Sequence, residues 1–138
     1  MCRGWLVRIL NNTPADRRRD MTAIDLAAKK CAPCEGGVPA LNKDEVSRLL
    51  AALPHWYLTA DGKRIARSWR VKGFTDGLEF FRRIGEVAEV ENHHPDLHLT
   101  GYRDVTVELS THAAGGLTEN DFILAAKIDT LPQPPLKK

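Results

Sequence analysis

EVENHHPDLHLTGYRDVTVELSTHAAGGLTEND runs from Glu89 to Asp121 and holds four of the chain's five histidines. Within it one helix ends, a hairpin turns and another helix begins. Pro95 lacks a backbone N–H and disfavours helical geometry at His94, so the adjacent His93 and His94 fall at a helix C-terminus. Leu97–Thr100 and Tyr102–Thr111 then read as paired strands turning near Gly101. On the second strand Val105, Val107 and Leu109 point one way, and Thr106, Glu108, Ser110 and His112 the other. Ala113–Leu117 is a glycine-containing loop, after which Thr118 caps a last helix with Asp121 at its third position. Phe122, Ala125, Ala126 and Ile128 supply the buried side of that helix.

Upstream, the helix that delivers the histidine pair spans about Thr75–Asn92, with Leu78, Phe81, Ile84, Val87 and Ala88 recurring at three- and four-residue steps. Before it, His55–Thr59 and Lys63–Lys72 are strand-like runs joined at Asp61-Gly62, a strong hairpin signal. Ile65, Trp69 and Val71 alternate there against Arg64, Ala66, Ser68, Arg70 and Lys72, and Arg67 interrupts the apolar face. Asn42 with Glu45 forms a capping-box pattern opening a helix whose stripe is Val46, Leu49 and Leu50, ended by Pro54. The order α-β-β-α-β-β-α predicts an α+β fold, a four-stranded antiparallel sheet with helices packed on one face. The other face is left to build a site or an oligomer contact.

At 138 residues the chain is one domain with enough length to bury a core. A net charge of +2, with no Lys/Arg cluster interleaved with aromatics, argues against nucleic acid as a partner. No apolar run approaches the roughly 20 residues of a membrane span. Three cysteines, none in the periodic part, suggest a reducing, cytoplasmic setting without a disulfide framework. The expected organisation is a poorly ordered arm over residues 1–40, a domain over 41–131 and a flexible, solvated tail over 132–138. The first twenty residues carry Arg3, Arg8 and Arg17–Arg19 and lack the apolar core of a secretory signal. They are expected to be disordered, or to lie upstream of a natural start at Met21, with a cleaved transit sequence as the less favoured alternative. Residues 22–39 are expected to form an extended or loosely ordered arm. Within them Cys31 and Cys34 supply two ligands where tetrahedral zinc needs about four. An arm without metal or redox role is the preferred reading, with an intersubunit metal site or a reversible disulfide as the others.

Glu89 and His93, four apart on one helix, share a face. Both His93 and His94 lie at the negative end of the helix dipole, which favours the imidazolium form. Such groups suit proton transfer near neutral pH. His112, at the far end of a strand, completes an acid–base set if the sheet brings it beside the helix end. Two other readings stand: a metal site, although adjacent histidines are awkward for one ion, and a polar helix end at which Asp121 is only a cap. His98 reads as structural and His55 as part of a turn.

The spaced set Glu89-x3-His93-His94-Pro95, Tyr102, His112 within LSTH, and Asp121 resembles the signature of the pterin-4a-carbinolamine dehydratase family, over about Leu41 to Asp129. The resemblance implies dehydration of 4a-hydroxytetrahydropterin to quinonoid dihydropterin, with the pterin as substrate and no metal or organic cofactor. It implies that His93, His94 and His112 are catalytic or pterin-contacting, that Glu89 orients them, and that Ser110 and Thr111 line the pocket. Asp121 would support the site through its helix start. A homodimer or tetramer is implied as well.

Where many active members carry a pocket aromatic, this chain has Leu97. The strings KKCAPCEGG, HLTGYRDV and GGLTENDFILAAKID are also similar to a dehydratase-like subgroup that assists Rubisco assembly in chloroplasts and in α-carboxysome-bearing bacteria. Two functions are therefore carried forward. The first, preferred, is a cofactor-independent dehydratase. The second is a catalytically weak or inactive protein whose partner is the Rubisco large subunit, associated with carboxysomes.

Overall fold

The computed structural model describes residues 21–33 and 38–138. Expectations for residues 1–20 and for Cys34 fall outside these. In chain order the elements are α1 (Ala23–Ala28), α2 (Lys43–Ala51), β1 (Tyr57–Leu58), β2 (Ile65–Arg70), α3 (Phe74–Glu91), β3 (Asp96–Thr100), β4 (Asp104–Leu109), a 3-10 turn (His112–Ala114) and α4 (Glu119–Thr130). The four strands form one antiparallel sheet in the order β1-β2-β4-β3. This is the expected α+β architecture with one helix added at the front.

The local signals act as their chemistry dictates. The Asn42 side chain accepts from the Glu45 N–H at 2.9 Å while the Glu45 carboxylate accepts from the Asn42 N–H at 3.2 Å, fixing the start of α2. Gly62, at φ 71°, takes the left-handed conformation at the first hairpin without a Cβ penalty. At the second hairpin both Gly101 and Tyr102 adopt positive φ. Val105, Val107 and Leu109 are fully buried, so β4 presents the predicted apolar side to the helices.

The apolar stripe of α3 is rotated from the predicted one. Gly77, Phe80, Ile84 and Ala88 are its buried positions, whereas Leu78 is 46% exposed and Phe81 and Val87 are only partly buried. Phe80 stands edge-on to Trp69, ring centroids 4.9 Å apart, a contact worth about 1 kcal/mol beyond its burial. A Cβ on Gly77 would sit 3.2 Å from Leu99 Cδ1 and 3.3 Å from Val105 Cγ2, so this glycine sets how closely α3 lies on the sheet. Arg67 sits on the helix-facing side of β2 without breaking the core. Its guanidinium lies 4.5 Å from the Trp69 ring centre and pairs with Asp129, which also accepts the Trp56 indole N–H at 2.9 Å.

Two expectations need correction. Residues 22–39 are not extended throughout: Thr22 and Asp25 form a capping box and Leu26 is fully buried. Helix α1 packs along α4 and Lys127 Nζ donates to the Ala27 carbonyl at 2.8 Å. That cover explains why α4 is buried nearly all round, Ile123 and Leu124 included, rather than along one stripe. Nor is the tail free. Pro134 is buried, Trp69 Nε1 donates to Gln133 at 2.9 Å, and the Lys72 and Lys137 N–H groups bond the Pro135 and Arg70 carbonyls.

Candidate active site

Helix α3 ends at Asn92, whose left-handed conformation (φ 51°, ψ 41°) reverses the chain, and the His93 N–H reaches back to the Ala88 carbonyl at 3.1 Å. Asparagine is among the few residues that accept this geometry. The reversal turns His93 inward, to 9% exposure, and leaves the His94 side chain 56% exposed. The two adjacent histidines thus receive different partners.

His93 Nε2 lies 2.6 Å from Asp121 Oδ1. Asp121 is fully buried at the third position of α4, where its other oxygen accepts from the Thr111 hydroxyl at 2.9 Å and from the Thr118 N–H at 3.0 Å. Thr111 and Thr118 are also hydrogen-bonded to each other, at 2.7 Å. Donors therefore converge on both oxygens, the environment of an ionised carboxylate held by the positive end of a helix. An acceptor-only group facing Nε2 places the ring hydrogen there and leaves the Nδ1 lone pair for chemistry. Among the described residues nothing bonds Nδ1.

His94 Nε2 pairs with Glu89 Oε1 at 2.8 Å. This corrects the expected Glu89–His93 pairing: the four-residue spacing would hold only if the helix ran through His93, and it stops at Glu91. His94 and Glu89 line an open depression of about 640 Å³, together with Arg82, Ala88, Val90 and Leu97. Leu97 is 37% exposed there, where the resemblance led to an aromatic.

His112 opens the 3-10 turn directly after the buried Thr111 and is exposed. No hydrogen bond among the described residues ties its ring to His93, and the two are linked through the backbone of Thr111 and its bond to Asp121. Ser110 is half-buried beside them. His98 pairs with Glu108 at 2.7 Å on the outer face of the sheet, away from this cluster, as its structural reading implied. Thr118 is a member that sequence reasoning treated only as a cap. Its alignment with Thr111 across a short loop, marked by the Thr111–Gly116 bridge, carries no periodic signal.

Comparison with known proteins meets this geometry. A family profile described as Pterin 4 alpha carbinolamine dehydratase matches residues 39–131. The chain is 52% identical over 110 residues to pterin-4-alpha-carbinolamine dehydratase 2, mitochondrial, of Arabidopsis thaliana, covering 78% of this chain and 59% of that one. It is 44% identical over 111 residues to a Methylococcus capsulatus protein provisionally named pterin-4-alpha-carbinolamine dehydratase, covering 80% and 96%. Among solved structures, a transcriptional coactivator/pterin dehydratase from Brucella melitensis superposes with a TM-score of 0.61 at 32% identity, covering 65% of this chain and 95% of that one.

Proposed function

The chain belongs to the pterin 4 alpha carbinolamine dehydratase family, and from that premise we propose that it removes water from a 4a-hydroxytetrahydropterin to give the quinonoid dihydropterin. The reaction breaks the C4a–O bond as the departing hydroxyl gains a proton, while N5 loses its proton and forms a double bond to C4a. It needs one group that accepts a proton and one that donates. The buried His93–Asp121–Thr111–Thr118 network is the observation that carries the proposal. It fixes one imidazole by a carboxylate and leaves Nδ1 to take the N5 proton. General acid–base catalysis of this kind supplies a factor of about 10² to 10⁴.

His94 and His112, both more exposed, are the candidates for delivering a proton to the leaving hydroxyl. Glu89 orients His94 through its 2.8 Å bond. Thr111 acts through its hydroxyl bond to Asp121, and in the depression beside His94, Leu97 with Val90 offers apolar contact for the ring. A homodimer or tetramer belongs to the same proposal, since edge strand β3 is largely exposed and Val90 and Leu78 face outward from α3. The compartment proposed is the cytoplasm; among the described residues no helix is long and apolar enough to cross a membrane. The Arabidopsis relative's name places that protein in the mitochondrion.

A role in Rubisco assembly or at the carboxysome rests on the cysteine arm and on Leu97. The named relatives support the dehydratase and add nothing to that second role. The test of the first is stopped-flow decay of 4a-hydroxytetrahydropterin with the full chain. Acceleration well above the spontaneous rate is expected, and decay at the spontaneous rate refutes the activity.

A further inference from the structure

The His93–Asp121 bond spans two elements that no covalent link holds at this distance: the end of α3 and the start of α4, 28 residues apart in sequence. Beside it a second connection crosses the same gap. Asn120, next to Asp121 and only 5% exposed, grips the backbone of Ala32 at both ends. Its Oδ1 accepts the Ala32 N–H at 2.9 Å and its Nδ2 donates to the Ala32 carbonyl at 2.7 Å. One residue earlier, the Cys31 N–H donates to Glu91 Oε1 at 2.9 Å, and the Cys31 thiol to the Asn120 carbonyl at 3.6 Å. Glu91 is the last residue of α3, two before His93. On either side the tie continues through the Lys29–Glu119 ion pair and the Leu41 N–H bond to the Leu117 carbonyl.

A helix second position is ordinarily solvated, and a buried carboxamide there costs stability unless all its groups are bonded. Asn120 meets that cost by holding the segment ahead of the domain. We propose that residues 31–32 form a strap, clamped by Asn120 and Glu91, that sets the spacing between α3 and α4 and so the length of the His93–Asp121 bond. Asn120 and Glu91 are then positioning residues for the dehydration, and the arm before the first family-matched element is part of the catalytic apparatus. The inference rests on the dehydratase reading for its kinetic consequence but not for its structural one.

The test uses the full chain with Asn120→Ala, Glu91→Ala and Glu91→Gln. Two readouts are taken: kcat and KM for 4a-hydroxytetrahydropterin, and exchange of the His93 Nε2–H proton by NMR. Misplacement of a catalytic group by about 1 Å costs up to about 10²-fold, so Asn120→Ala is expected to lower kcat about tenfold with KM within about twofold. The Nε2–H proton should exchange faster. Glu91→Ala should act in the same direction, and Glu91→Gln, which keeps an acceptor for Cys31, should restore both readouts. An Asn120→Ala or Glu91→Ala protein that folds with wild-type proton exchange and wild-type kcat overturns the strap. If Asn120→Ala does not fold, the Glu91 pair decides alone. An inactive wild type refutes the dehydratase while the proton exchange still tests the strap.

Discussion

Replacing Asp121 by asparagine keeps the shape of the site and removes its charge. Asp121 is fully buried, with His93 on one oxygen and Thr111 and Thr118 on the other. An asparagine has one acceptor and one donor end. If its oxygen stays toward Thr111 and the Thr118 N–H, its amide nitrogen faces His93, and the imidazole must turn its lone pair to Nε2 and carry its hydrogen on Nδ1. The site then presents an N–H where the base should be. If the amide flips, its nitrogen opposes the Thr118 N–H, and a buried donor is left without an acceptor. Either way a charge-assisted bond worth about 1.5–3 kcal/mol is lost. The first arrangement also removes the general base, a loss of about 10² to 10⁴ in turnover. Stopped-flow kinetics and thermal melting on one preparation separate the two costs. The expected result for Asp121→Asn is kcat down at least about a hundredfold with KM little changed and a melting shift of several degrees. Turnover within about threefold of wild type with an unshifted melting temperature would refute the reasoning, because a flipped amide keeps the base only by leaving the Thr118 N–H without an acceptor.

Thr111→Val removes the hydroxyl between Asp121 and Thr118 and should cost about 1–3 kcal/mol, read from urea denaturation, because a buried acceptor loses its donor. Arg67→Ala leaves Asp129 with only the Trp56 indole and strips the cover from Trp69; a loss of about 2–4 kcal/mol in the same assay is expected, and a change under about 0.5 kcal/mol would contradict the pairing. Leu97→Phe restores a flat surface beside His94 and should lower KM by about two- to tenfold with kcat unchanged. The Thr22 backbone N–H, and then its hydroxyl, hold the Asp25 carboxyl below the ordinary aspartate range. Its capping contribution is therefore complete above the unfolded value near about 4 and is lost as pH falls through the lower folded value. Amide exchange in α1 should accelerate over that interval, ahead of exchange in the core strands.

Much of this fold was readable because its punctuation is local. Asn42 with Glu45, Asp61-Gly62 and Pro95 each act within four residues, and their chemistry marks ends and turns whatever surrounds them. Tertiary context decided the rest. Adjacent Phe80 and Phe81 both fit a helical period, and the sheet surface beneath α3 selects Phe80. The short helix α1, AIDLAA, leaves Ile24 exposed and is held mainly by burying Leu26 against the core that includes α4. The tail looks solvated until the open end of β2 offers Arg70 and Lys72 as partners. At the site, the histidines and Asp121 were visible as a spaced set, but which histidine takes which acid was not. That choice is made by Asn92, whose left-handed turn ends the helix before His93 and sends it across to α4 rather than back to Glu89.

The central claim is that the dehydration proposed for this chain is driven by its imidazoles, His93 and His94 at the end of α3 and His112 after β4. The most direct measurement compares decay of 4a-hydroxytetrahydropterin with equal amounts of wild-type chain and a His93→Ala, His112→Ala double variant whose fold is verified by circular dichroism. The account predicts rapid turnover by the wild type and near-spontaneous decay with the double variant. Equal rates for the two would contradict it.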